Sequence, residues 1–184
     1  MASVEARRPF EVVCIDIVGP LESSGGFRYV LSCRDRFTRF VRFAPLRSGA
    51  AAEVAHVFFD RWVSLFGVPE AVLSDRGQAF CGRLFSRLAR RLGVSRLRTS
   101  AYHPQTNAVE RVHRSLRELV THLTSAGREW PRALPVVEML LNGAVCASTG
   151  VTPAYAVFGR EPRMPIEMLQ APSFVVDRDA QDYG

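Results

Sequence analysis

The stretch Glu11-Val12-Val13-Cys14-Ile15-Asp16-Ile17-Val18 is nearly continuous in apolar residues and stops at Gly19-Pro20. That is the pattern of a strand buried on both faces, which belongs in the middle of a sheet with helices on either side. One carboxylate, Asp16, interrupts it. Burying a carboxylate costs on the order of several kcal/mol unless a metal, hydrogen bonds or a cation compensates. Asp16 is therefore the first candidate for chemistry, and the ordinary alternative is a carboxylate facing solvent at a sheet edge.

The rest of the chain supplies elements for such a sheet. Gly25-Gly26 marks a turn, and the Val-, Phe- and Tyr-rich runs Phe27 to Cys33 and Thr38 to Leu46 predict two further strands in an antiparallel meander. Val54, Val57, Phe58 and Trp62 recur at helical spacing, predicting a helix from Ala50 to Phe66 that Gly67 and Pro69 stop. Ala71-Val72-Leu73 reads as a short strand leading into Ser74-Asp75-Arg76-Gly77. Leu84, Leu88 and Leu92 mark a helix closed by Gly93, and a strand follows over about Val94 to Thr99. Val109, Val112, Leu116, Leu119, Val120 and Leu123 form the stripe of a long helix ending near Gly127, and a last strong helix runs from about Trp130 to Val145. The alternation predicts one mixed α/β sheet of five strands flanked by helices. The domain is expected over 10–165, between an N-terminal extension over 1–9 and a disordered tail over 166–184, polar and acidic from Gln170 onward.

At 184 residues the chain suits one core rather than two. Its formal net charge is +6, and every basic residue is an arginine. That favours a polyanionic partner, nucleic acid first, although charge alone is equally compatible with simple solvation. The cysteines Cys14, Cys33, Cys81 and Cys146 contain no close-set pair, so neither a structural zinc nor a disulfide framework is signalled, and they read as buried thiols in a reducing compartment. No apolar run approaches a membrane span, and Met1 to Pro9 has no apolar signal core, so a soluble, unexported chain is expected.

Two further carboxylates stand where they can join Asp16. Asp75 follows a strand end, where open α/β sheets place their ligands, and Glu110 opens an amphipathic helix. Taken singly, Ser74-Asp75-Arg76-Gly77 is an ordinary turn and Glu110 an ordinary solvated helix residue. Together they describe three acidic groups that could converge on two divalent cations, the arrangement of a phosphoryl-transfer site. Asp35, between arginines, reads as structural and satisfied by those basic neighbours. His56, His103, His113 and His122 lack metal-ligand spacing.

The runs Ile15-Asp16-Ile17-Val18-Gly19-Pro20-Leu21, Asp35-Arg36-Phe37-Thr38-Arg39, Phe66-Gly67-Val68-Pro69, Leu73-Ser74-Asp75-Arg76-Gly77 and Tyr102-His103-Pro104-Gln105-Thr106-Asn107 resemble the integrase core of gypsy-class long-terminal-repeat retrotransposons. So do Glu110-Arg111-Val112-His113-Arg114-Ser115-Leu116, Ser148-Thr149-Gly150-Val151-Thr152-Pro153 and Phe158-Gly159-Arg160, in order from about Phe10 to Pro165. The resemblance implies a ribonuclease H-like fold with Asp16, Asp75 and Glu110 as the acidic triad, Asp16 bridging two metal ions and the others holding one each. It implies Mg²⁺, or Mn²⁺, as cofactor, trimming of DNA ends and their joining to target DNA, a dimer or larger assembly, and action in the nucleus or an element's particle. Arg114 and Arg117, four and seven positions beyond Glu110 on the same helix face, are candidates for DNA contacts. Gln105 and Asn107, in the loop before that helix, are candidates for touching the DNA end.

Three features depart from the family. Thirty-four residues separate Asp75 from Glu110, one fewer than is usual. A one-residue shift of helix register would turn Glu110 by about 100 degrees away from the metals, whereas a shortened loop would leave the site intact. Asn107 and Glu110 also have capping-box spacing, which would engage Glu110 at the helix start. The family's zinc-binding N-terminal module and C-terminal DNA-binding domain have no counterpart in these residues. A catalytically inactive, transposon-derived domain that binds nucleic acid or protein is therefore the alternative reading.

Overall fold

A computed structural model describes residues 6–74, 89–98, 114, 116–118, 120–122, 127 and 129–164. Its sheet holds five strands, β1 (Val12–Val18), β2 (Tyr29–Asp35), β3 (Val41–Leu46), β4 (Ala71–Ser74) and β5 (Ser95–Arg98), in spatial order β3-β2-β1-β4-β5. β1 to β3 form the expected antiparallel meander, while β4 and β5 run parallel to β1. The apolar run with one carboxylate is the central strand. Gly19 ends it with φ of +143°, and a Cβ there would lie 2.6 Å from the Tyr29 ring and 2.8 Å from the Arg28 carbonyl. Only glycine fits that approach of β1 to β2.

The meander strands begin later than the hydrophobic pattern suggests. Ser24 and Phe27 exchange backbone hydrogen bonds in a tight turn, so β2 starts at Tyr29 rather than Phe27. Between β2 and β3 the fully buried Asp35 accepts from the Thr38 N–H (2.8 Å), the Thr38 hydroxyl (2.6 Å) and the Phe10 N–H (3.0 Å). The side chain thereby ties the turn, and Thr38 is lost to the strand. Asp35 is structural as expected, but its hydrogen-bond partners are these groups and not the neighbouring arginines.

The predicted helix from Ala50 is α1 (Ala51–Phe58), continued by a π-helical turn (Phe59–Val63) into α2 (Ser64–Phe66). Glu53 holds its entry by accepting from Arg47 N, Ser48 N and the Ser48 hydroxyl. α1 covers one sheet face, where Val13, Ile15, Leu31, Cys33, Ala44, Leu46 and Val72 pack on Val54, Phe58 and Trp62. Full burial of each large side chain contributes roughly 1.5–3 kcal/mol. Phe10 stacks on Phe66 (4.5 Å) and meets Trp62 edge-on (5.8 Å), extending this core around the helix.

The opposite face is covered by a second cluster, in which Val18, Val30, Val41 and Phe43 pack on Leu116, Val120, Trp130, Leu134 and Val137. The last three belong to α3 (Trp130–Gly143), which ends two residues before the expected Val145. Trp130 Nε1 donates to the Glu22 carbonyl (2.9 Å), and Asn142 makes two hydrogen bonds to Val41 of β3, accepting from its N–H (2.8 Å) and donating to its carbonyl (2.9 Å). Glu138 accepts from the Phe43 N–H (2.5 Å). Side chains of α3 thus occupy outward-facing backbone groups of the edge strand, which blocks further strand pairing there. A short helix absent from the sequence-based expectation, α4 (Pro153–Phe158), follows, capped by Thr152 through the Tyr155 N–H (3.0 Å).

Residues 89–91 and 114, 116–118 and 120–122 are helical, as the leucine and valine stripes predict. The remainder of those two helices, and the segments 1–5 and 165–184, lie outside the described residues. Cys33 is buried as expected, whereas Cys14, opposite Arg34 on β2, and Cys146, in the loop after α3, are only half-buried, and Cys81 lies outside the described residues. No helix among the described residues is long and apolar enough to cross a membrane.

Candidate active site

Asp16 stands in the middle of β1, opposite Ser32 of β2, and is half-buried. Side chains alternate along a strand, so Asp16 shares its face with Val18 and Ser32 with Val30, the face on which Leu116 and Val120 pack. The Ile17 N–H donates to Asp16 Oδ1 (2.7 Å). β4 ends at the buried Ser74, level with Ile15, one residue before Asp16. The next residue in the sequence is Asp75.

Asp75, Gln105, Asn107 and Glu110 lie outside the described residues. Arg114 and Arg117 are described and both are exposed, flanking the buried Leu116. Leu116 and Val120, one turn apart, therefore anchor this helix to Asp16's face while the two arginines point into solvent. Among the described residues no three acidic, histidine or cysteine side chains group as metal ligands. His56 pairs with Asp60 across one helical turn (3.3 Å), and His122 is exposed.

The sequence reading missed a second polar group of residues on this face. Cys14 and Arg34 pair across β1 and β2, two residues from the Asp16–Ser32 pair, and Arg36 and Arg39 follow in the turn. Burial pushes the Cys14 thiol up in pKa, opposed by Arg36, Arg34 and Arg39. Cys146 is held below the ordinary thiol value: its burial is outweighed by hydrogen bonds from Ser148 and Thr149 and by Arg34. The signal available in the sequence was the run Arg34-Asp35-Arg36, whose alternation sets both arginines apart from the buried Asp35.

The integrase core domain model matches residues 6–104, more than half of the chain. The Pro-Pol polyprotein of Simian foamy virus type 3 (strain LK3) is 32% identical over 161 residues, covering 86% of this chain and 14% of the viral protein. The Gag-Pol polyprotein of Feline leukemia virus is 30% identical over 161 residues, again 86% of this chain and 9% of the relative. The chain thus spans only a small part of the curated relatives it matches. Among solved structures, the catalytic core domain of BIV integrase superposes with a TM-score of 0.62 at 19% identity, over 79% of this chain and 91% of that one. The HTLV-2 integrase catalytic core domain, solved in complex with magnesium in a trimeric form, gives 0.64 at 16% identity, over 83% and 99%.

The sheet order, with its central carboxylate and helices on both faces, is the ribonuclease H-like fold of integrase catalytic cores. The chain belongs to the integrase core domain family and is related to the Pol proteins of retroviruses.

Proposed function

We propose that this chain is the catalytic core of a DNA integrase from a gypsy-class element, carrying out DNA end trimming and strand transfer through Asp16, Asp75 and Glu110. The observation that carries this reading is the half-buried Asp16 on the central strand, beside the end of β4 that leads directly to Asp75. A carboxylate there is accounted for by cations held between it and its acidic neighbours. All three donors are hard oxygens, which suits Mg²⁺ or Mn²⁺, and the HTLV-2 core was solved with magnesium. When bound, the ions would supply Lewis-acid stabilisation of the attacking and leaving oxygens.

The chain's own contribution is positional. Asp16 is placed by the central strand, and the Ile17 N–H donates to its Oδ1. In trimming, a water oxygen forms the new bond to phosphorus and the 3'-oxygen of the cut strand leaves with a proton. In joining, a DNA 3'-hydroxyl attacks a target phosphate and the target's own 3'-oxygen leaves. Arg114 and Arg117, exposed beside the anchored Leu116, meet backbone phosphates, while Gln105 and Asn107 meet the DNA end. The partners are element ends and target DNA, the assembly is a dimer or larger, and the place of action is the nucleus or an element's particle. Phosphodiester DNA supplied with free 3'-hydroxyl ends tests this reading: joined products that vanish with Asp16→Asn support it. Hydrolysis without joining would make the chain a nuclease of the same fold, and neither product would favour an inactive descendant.

A further inference from the structure

We propose that Arg34, Arg36 and Arg39 form a second phosphate-binding site, for a backbone phosphodiester of DNA, at the β2–β3 turn on Asp16's face of the sheet. The reading of the ligand as DNA rests on the proposed function; the site itself rests on arginines that no carboxylate among the described residues neutralises. Nε of Arg34 and Nε of Arg39 are buried and have no hydrogen-bond partner. No carboxylate among the described residues lies within ion-pair reach of either arginine, since the ion pairs formed are Arg8–Glu70, Arg42–Glu138, His56–Asp60 and Arg132–Glu129. Arg42 Nε, also without a well-directed hydrogen bond, differs in having Glu138 Oε2 at 3.3 Å.

The groups that face Arg34 are Arg39, Cys146 and Cys14, and burial followed by the Arg39 charge lowers its pKa. The Arg34 and Arg39 charges therefore oppose each other, and Arg36 donates to Cys14. Guanidinium charges held near one another without a carboxylate are unfavourable, and a tetrahedral oxyanion with several acceptor oxygens both neutralises them and accepts from their outer nitrogens. The two Nε atoms are covered, but all three arginine residues keep part of their surface in solvent, and it is there that a phosphate meets them. The site lies about 7 Å along the strand from Asp16, the span of two residues, which separates it from the acidic centre.

The test uses the whole chain in the Asp16→Asn background, so that binding is read without catalysis. Duplex DNA affinity is measured over a series of salt concentrations for Arg34→Met, Arg39→Gln and the control Arg132→Gln, whose arginine pairs with Glu129 on the surface. Thermal unfolding is followed with and without inorganic phosphate. Loss of one phosphate contact lowers the salt slope by about 1 and weakens binding several-fold in the first two variants, with no such change in the control. Without ligand, Arg34→Met melts about 2–4 °C higher because a desolvated charge is gone, and phosphate stops protecting it. A purely structural arginine would instead melt lower when replaced. DNA binding and salt slope that match the control overturn the proposal, as does phosphate protection unaffected by both substitutions. Protection by inorganic phosphate with unchanged DNA binding overturns the assignment to DNA. Arg39→Gln, in a turn, keeps the test open should Arg34→Met fail to fold. Failure of joining chemistry in the active chain would leave these binding results standing.

Discussion

On the α1 face of the sheet, β1, β2 and β3 present Val13, Ile15, Leu31, Cys33, Ala44 and Leu46, every one buried, and the two charged residues that alternation adds there are partnered, Asp35 by Thr38 and Phe10 and Arg42 by Glu138. On the other face the same strands present Cys14, Asp16, Ser32 and Arg34 among Val18, Val30, Val41 and Phe43. Neighbouring residues of one strand thus serve opposite ends, because alternation sends each to a different face. The face whose few charged groups are tied into the fold stabilises it, and the face where Cys14, Asp16, Ser32 and Arg34 interrupt the apolar packing carries the candidate chemistry.

Three substitutions and two pH slopes bear on that contrast. The largest effect is expected from Trp62→Ala on the α1 face, where a fully buried ring packed on Phe10 and Phe66 is lost. A loss of about 3–5 kcal/mol is expected, read as a lower urea midpoint with unchanged slope. Asp16→Asn on the other face should leave the urea midpoint nearly unchanged while removing more than about 100-fold of activity, beyond the range of outer-shell metal effects. A large stability loss there would erase the division between faces.

Asn142→Ala comes next, at about 1–3 kcal/mol, since it strands the N–H and carbonyl of Val41 at the sheet edge. Concentration-dependent association of the variant would show the edge reopened to strand pairing. The smallest effects are pH slopes of opposite sign. Burial raises the Glu138 pKa, only partly opposed by the Phe43 N–H and Arg42. The folded state therefore holds that proton more tightly than the unfolded chain, and stability falls as pH rises from the ordinary value of 4.5 through the raised one. Burial also pushes Glu53 up, but the hydrogen bonds from Arg47 and Ser48 outweigh it and lower its pKa. Its contribution is present above 4.5 and is lost as pH falls through the folded value. Glu138→Gln and Glu53→Gln should each flatten their own slope in acid denaturation curves.

Much of the fold was legible because the patterns were strong. The apolar run around Asp16 identified the central strand, and the spacing of Val54, Phe58 and Trp62 identified α1. Boundaries were less legible where a side chain competes with the backbone, as when Asp35 captures Thr38 and delays β3. The π-helical turn at Phe59–Val63 has no periodic signature over five residues, and α4 is too short for one, although Thr152-Pro153 already had the form of a cap and first turn. The expectation for Asp16 could be read because a carboxylate conflicts with its apolar surroundings. The arginines of the β2–β3 turn were passed over because an arginine in a turn conflicts with nothing until its burial and missing partner are seen.

Calorimetric titration of Mg²⁺ into the chain, alone and with a DNA end, tests the central claim most directly when repeated with Asp16→Asn and Glu110→Gln. Binding in the parent chain that disappears in both variants is the predicted result, and it would mean that Glu110 reaches the metal despite the shortened segment after Asp75. Absence of binding even with DNA, or binding that persists unchanged in Asp16→Asn, would contradict the assignment of the central-strand carboxylate to a metal-dependent phosphoryl-transfer centre.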